Sequence, residues 1–220
     1  MTQTRQRVDT WDMRCVHRVF RREFRLLPSL IQSVALGDTA RAGVVADHAG
    51  DMTYMLHHHH SGEDDLLWPI LLERVALRAD LVHRMEAQHE QISVLLDRFE
   101  TLLPQWRARA DTAARDELAG LGARLSAALD EHLAEEENEV LPLVSEHLTQ
   151  AEWNALGERG QESLPKGSKA FVFLGGILKD ASPAEQKRFL AMLPIPVRLS
   201  WKLFGAGIYR RANARLHASG

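Results

Sequence analysis

HHSGEDDLLWP (residues 59–69) and HLAEEENEVLP (residues 132–142) share one frame: a histidine, a glutamate four residues on and a proline ten residues on. The frame extends upstream, where His17 precedes His59 by 42 residues and His89 precedes His132 by 43. The chain therefore carries an approximate internal duplication with a period of 72 to 73 residues. A spacing of four places both side chains of each His/Glu pair on one helix face, one above the other. A single pair of this kind is commonplace on a solvated helix. Two copies, each with its own upstream histidine and downstream proline, are not.

Around the two frames the apolar pattern is helical. Val16, Val19, Phe20, Phe24, Leu27, Leu30 and Ile31 keep the three-and-four spacing of a buried stripe. Asp9 and Asp12 offer an N-terminal cap, Pro28 is expected to bend or interrupt this helix, and Gly37 to end it. A second helix begins near Thr39 and carries the histidine run, its course through Gly62 and Pro69 left open. A third runs from about Asp80 to Arg109 with Leu81, Met85, His89, Ile92, Leu96 and Phe99 inward. The fourth, from about Asp111 to Pro142, uses Leu118, Leu121, Leu125, Leu129 and Leu133, and continues or restarts to Leu148.

Short joints at residues 35–39 and 108–112 make sequential neighbours antiparallel. The expected fold class is all-α, an up-down-up-down four-helix bundle over residues 10–148 with additional C-terminal helices over 149–220. Thr149 with Glu152, and Ser182 with Glu185, are capping boxes. Residues 170–180 (AFVFLGGILKD) read as a helix broken at Gly175–Gly176. Residues 197–216 read as an amphipathic helix that packs on the bundle or against a second copy of the chain, giving a homodimer.

Composition excludes several classes. Of the 220 residues 45% are apolar and 26% charged, an ordinary balance for a folded protein, and a net charge of −3 exerts no pull toward nucleic acid. No apolar stretch approaches the ~20 residues of a membrane span, and the first thirty residues lack the apolar centre of a secretory signal. Cys15, the single cysteine, cannot form an internal disulfide and is read as packing, so a reducing cytoplasm is the expected compartment.

Closing the two halves into a bundle brings His17, His59, His89 and His132 with two carboxylates toward one interior volume. Buried together without counter-ions these groups would cost many kcal/mol, a cost that a pair of bridging cations removes. Imidazole and carboxylate without thiolate suit iron, and manganese or zinc less well.

As an ordered set, these motifs resemble the hemerythrin-like, or HHE cation-binding, family over about residues 10–148. The resemblance implies a cofactor of two iron ions, an oxo- or hydroxo-bridged di-iron centre engaging dioxygen, nitric oxide or hydrogen peroxide. Matched by position, it implies His17 as the first-helix ligand, His59 with Glu63 on the second, His89 on the third and His132 on the fourth. Glu63 and one fourth-helix carboxylate would bridge: the internal repeat favours Glu136, and the five-residue spacing of oxygen-carrying members favours Glu137.

The departure from the family lies on the third helix. Oxygen-carrying members have a second histidine four residues before the one matched by His89; this chain has Met85, and a thioether is a poor ligand for oxidised iron. Glu86, in the E-x-x-H arrangement of ferritin-type helices, Tyr54, or an open, water-filled position are the candidates for that place. Glu86 and Tyr54 are also the candidate catalytic residues. His57, His58 and His60 point about 100° apart from their neighbours in a regular helix, so one or two are expected to hydrogen-bond behind the ligands or at the rim, where an imidazole passes protons. His48 is expected to serve core or boundary packing. Five or fewer imidazoles with an extra oxygen donor would favour ferric iron, so catalase-like disproportionation of hydrogen peroxide is the first expectation. Reversible binding or sensing of dioxygen or nitric oxide, without turnover, is the alternative.

Overall fold

A computed structural model describes residues 7–218. Four long helices form the bundle: α1 (Trp11–Gln32), α2 (Thr39–Leu66), then, after a short α3 (Trp68–Arg74), α4 (Ala79–Arg109) and α5 (Thr112–Glu135). Around the bundle α1 packs on α5 and α2, and α4 packs on α2 and α5. Asp38 caps α2 by accepting the Arg41 N–H at 2.9 Å, and Asp111 caps α5 by accepting the Ala114 N–H at 2.9 Å. At the start of α1 the capping position is Thr10, and Asp9 accepts the Trp11 N–H at 3.2 Å.

Pro28 lies inside α1 without ending it, and the helix stops at Gln32, ahead of Gly37. Gly37 instead takes a left-handed φ of 78° in the joint and donates its N–H to the Ala110 carbonyl at 3.0 Å. One end of the bundle is thereby stitched together, joint to joint.

The duplication is visible in the backbone. After its His/Glu pair, each half ends in a seven-residue helix that starts one residue before the shared proline: α3 at Trp68–Pro69 and α6 (Leu141–His147) at Leu141–Pro142. The halves differ at the junction, where residues Glu136–Val140 form a π turn between α5 and α6. Such turns occur mostly as single insertions in α-helices, frequently at functional sites.

The extension comprises α7 (Gln150–Glu162), α8 (Ser168–Lys179), α9 (Pro183–Met192), α10 (Ile195–Ser200) and α11 (Ala206–His217). The two capping boxes start α7 and α9. Gly175 and Gly176 do not break α8. A side chain at Gly175 would overlap the Tyr209 ring on α11, and Val19 and Arg22 of α1 lie over Gly176. The glycines therefore permit two close helix crossings. The Arg41 guanidinium donates to the Arg215 and Leu216 carbonyls and ties the end of α11 to α2. Among the described residues no helix is long and apolar enough to cross a membrane.

Two apolar clusters fill the bundle. The larger includes Val19, Phe20, Phe24, Leu56, Ile92, Phe99, Trp106, Leu129 and Leu133; the smaller includes Met13, Leu67, Trp68, Leu81, Met85, Val140 and Val144. Between them on every long helix sits a buried polar layer of His17, His60, Glu63, His89, His132 and Glu136. An unpaired polar layer inside an apolar bundle opposes folding, so its partners decide what it is for.

Candidate metal centre

The layer resolves into two groups, each able to coordinate a metal ion. His17, His59, Glu63 and Glu136 bring one ligand atom each to within 4.8 Å of one another, and so do His60, Glu63, His89 and His132. Glu63 belongs to both. Its Oε1 lies 3.3 Å from His59 Nε2 and its Oε2 3.5 Å from His89 Nε2, so one oxygen faces each group. Adjacent histidines reach two ions because Glu63 is four residues past His59 and three past His60, the two spacings that share a helix face.

Partners behind the layer fix how three of the imidazoles present themselves. The His17 Nδ1–H donates to Glu137 at 2.9 Å, the His89 Nδ1–H to Asp64 at 2.7 Å, and the His132 Nδ1–H to the Gln88 side-chain Oε1 at 3.0 Å. Asp64 also accepts the Trp68 indole N–H at 2.8 Å, and Gln88 donates to Glu135 at 2.8 Å. With each Nδ1 donating, each Nε2 presents a bare lone pair to the interior. Yet His89 Nε2 and His132 Nε2 face one another at 3.2 Å, and His17 Nε2 faces Glu136 at 3.3 Å. The Nε2 atoms of His17, His59 and His60 and all four oxygens of Glu63 and Glu136 are buried without hydrogen-bond partners. Converging buried lone pairs are what a cation requires. The residues fit a pair of metal ions.

The charges agree. Burial, reinforced by repulsion among the imidazoles, holds His59, His60 and His132 well below the ordinary imidazole range. Burial, reinforced by Glu136, pushes Glu63 well above the ordinary carboxyl range, and burial also raises Glu136 against the pull of His17 and His89. Burial without a cation thus biases these groups toward their neutral forms, and a bound metal biases the carboxyls toward carboxylate.

Glu137 differs. Burial pushes its carboxyl up, but hydrogen bonds from His17 and from Arg21, at 2.6 Å, hold it at about 2. It is therefore ionised at neutral pH and backs His17 from outside the two groups. Glu137→Gln is expected to weaken the ion at the His17 group about 10- to 100-fold, the usual cost of losing a carboxylate behind a ligand imidazole. Competition against a chromophoric chelator measures this, and the ion at the other group should be retained.

The structure thus brings His17, His59, Glu63, His89, His132 and Glu136 together. It does not bring Glu86 or Tyr54 to them. Glu86 is exposed and pairs with His83 at 2.9 Å, and Tyr54 is exposed against the His58 ring. Met85 is fully buried in the smaller apolar cluster, one turn from His89. His60, expected to hydrogen-bond behind the ligands or at the rim, instead joins the second group, its ring stacked on that of His89 at 4.0 Å. Its signal was the three-residue spacing to Glu63. Cys15 is buried in the larger cluster beside Arg18, and His48 lies 3.1 Å from Glu23. A polar cavity of about 250 Å³ lined by His57, Asp64, Glu86 and Glu90 meets the second group at His60 and His89.

The family model for the hemerythrin HHE cation-binding domain matches residues 9–144. No curated protein and no solved structure matches the chain.

Proposed function

Since this chain belongs to the hemerythrin HHE cation-binding family, we propose that it binds a small diatomic ligand, dioxygen or nitric oxide, reversibly at a centre of two iron ions. The observation that supports this reading is the composition of the two groups: five imidazoles and two carboxylates, with His60 present and Glu86 outside. Neither Glu86 nor Tyr54 supplies at Met85 the extra oxygen donor that would favour ferric iron and peroxide chemistry. Imidazole in place of carboxylate leaves less negative charge at the centre and favours the ferrous state that a reversible binder needs. When bound, two iron ions supply the electrons and the open coordination that such a ligand takes up.

The chain's own part is preparation. Glu63 spans both groups, while Asp64, Gln88 and Glu137 hold three imidazoles with Nε2 turned inward. The apolar clusters above and below keep bulk water from the layer. The polar cavity at His60 and His89 gives a small ligand access from one side.

That same cavity favours a second reading. His57, Glu86 and Glu90 in its wall are groups that move protons, which catalase-like peroxide disproportionation requires. One preparation separates the two. Iron-loaded protein, reduced without oxygen and then exposed to air, is expected to develop an absorption band that disappears under vacuum and returns over repeated cycles. Irreversible oxidation on first exposure, with steady oxygen release from added peroxide, would replace the binding reading by the enzymatic one.

A further inference from the structure

A cavity of about 340 Å³ lies between the bundle and the extension, walled by α1 and α2 on one side and by α7 to α10 on the other. Val16, Phe20, Leu156, Phe173, Leu174 and Ile177 make much of its surface. Met192 and Val197 both line it and are exposed, at 52% and 36%, so it opens at the α9–α10 junction. His59, of the first metal group, forms part of the inner wall.

Its polar groups are few. Among the lining residues there is no lysine or arginine and one acid, Asp12. Asp12 is half-buried in the wall, while the Ser163 hydroxyl is already committed to the Arg159 carbonyl at 2.9 Å. Burial raises the Asp12 carboxyl above its ordinary range.

We propose that this cavity binds a neutral, mainly hydrocarbon molecule that carries a hydroxyl group, of the class of a medium-chain alcohol or an alkyl phenol. The volume falls at the lower end of cavities that enclose a small organic ligand. An apolar wall selects a hydrocarbon body. A carboxylate or phosphate head would meet Asp12 without a compensating cation, and an ammonium head would gain one ion pair with Asp12 but lose most of its water against apolar walls, a desolvation cost that exceeds such a gain. A hydroxyl can donate one hydrogen bond to the Asp12 carboxyl, the one acid in the wall. An occupant also rests against His59, so the site adjoins the metal centre without needing a metal to form.

The test uses the full chain without metal, so its result is independent of the iron-centred reading. The uncharged dye 1-aminoanthracene is expected to bind with enhanced fluorescence and to be displaced by decan-1-ol. Decanoate and decylamine should compete at least about tenfold less well, the effect of ~1.4 kcal/mol. Asp12→Asn keeps an acceptor and removes the acid, and should narrow the alcohol-to-decanoate gap roughly threefold or more. Gly160 lines the cavity on α7 and a Cβ there meets nothing within 4 Å, so Gly160→Leu fills space without a clash at that atom. It should lower dye affinity by about tenfold or more with unchanged helical circular dichroism and unchanged iron stoichiometry. Ala170→Phe, also in the wall, is the second filling variant should the first fold poorly. Dye binding that is absent, dye binding unaffected by both fillings, or decanoate or decylamine competing as well as decanol would overturn the proposal.

Discussion

Glu63→Ala is expected to abolish binding of both ions, whereas His17→Ala, His60→Ala and Glu136→Ala should each cost one. Glu63 is the residue common to the two groups, fully buried, with one oxygen toward each. Its carboxylate is also a shared negative charge between two cations that repel each other. A unit charge pair 4 Å apart is worth about 4 kcal/mol at an effective dielectric of 20, so each ion loses attraction of at least that order, roughly a thousandfold in affinity. Glu136 belongs to the His17 group alone, so its removal leaves Glu63 to serve the other. Metal analysis after dialysis against a weak chelator, with circular dichroism to confirm folding, reads the difference between about two, one and no ions per chain. One ion held tightly by Glu63→Ala would mean that the groups are independent sites and that the shared oxygen geometry has no energetic role.

The parts of this molecule that follow from short-range spacing were legible in the sequence. The His/Glu pairs and the four long helices rest on local periodicity, whereas the course past Pro69 and Pro142 stays open, because a proline in a first helical turn is compatible with both a restart and a continuation. His60 is placed behind the ligands by the sequence because a duplication nominates only what occurs twice, which selects His59. Its counterpart in the second half is Leu133, a buried apolar residue of the larger cluster. Glu86 was nominated by its spacing from His89, but helix phase decides otherwise. Met85, His89, Ile92 and Leu96 lie on the buried stripe of α4, and Glu86, one residue round from Met85, is carried to the solvent side. The intact α8 has a tertiary cause that no local reading contains. Gly175 answers to Tyr209, a residue of another helix. The choice between Glu136 and Glu137 likewise turns on the π turn that begins there, with Glu136 buried in the polar layer and Glu137 behind His17.

Glu136→Leu is expected to stabilise the metal-free chain by about 1–4 kcal/mol, as replacing buried ionisable groups with apolar residues of similar volume often does. Glu136 is fully buried with neither oxygen hydrogen-bonded, and Val140 and Leu133 on the same stretch already face apolar clusters. For a chain of this length that corresponds to a rise of roughly 3–12 °C in thermal midpoint. The pH dependence has a definite sign. Burial raises the Glu136 carboxyl above its ordinary 4.5 in the folded state, so above that pH the unfolded chain releases the proton more readily. Metal-free wild type therefore loses stability as pH rises from about 4.5 through the raised folded value, and the advantage of the leucine variant should be larger at about pH 8 than at about pH 5. Iron reverses the order. A ligand at a thousand times its dissociation constant adds about 4 kcal/mol to whichever chain binds it. Wild type should gain this at both groups and Glu136→Leu at one, so the two unfolding curves are expected to cross over on loading. A leucine variant less stable than wild type without metal would mean that the Glu136 oxygens find partners within the protein, and their burial would then no longer call for a cation.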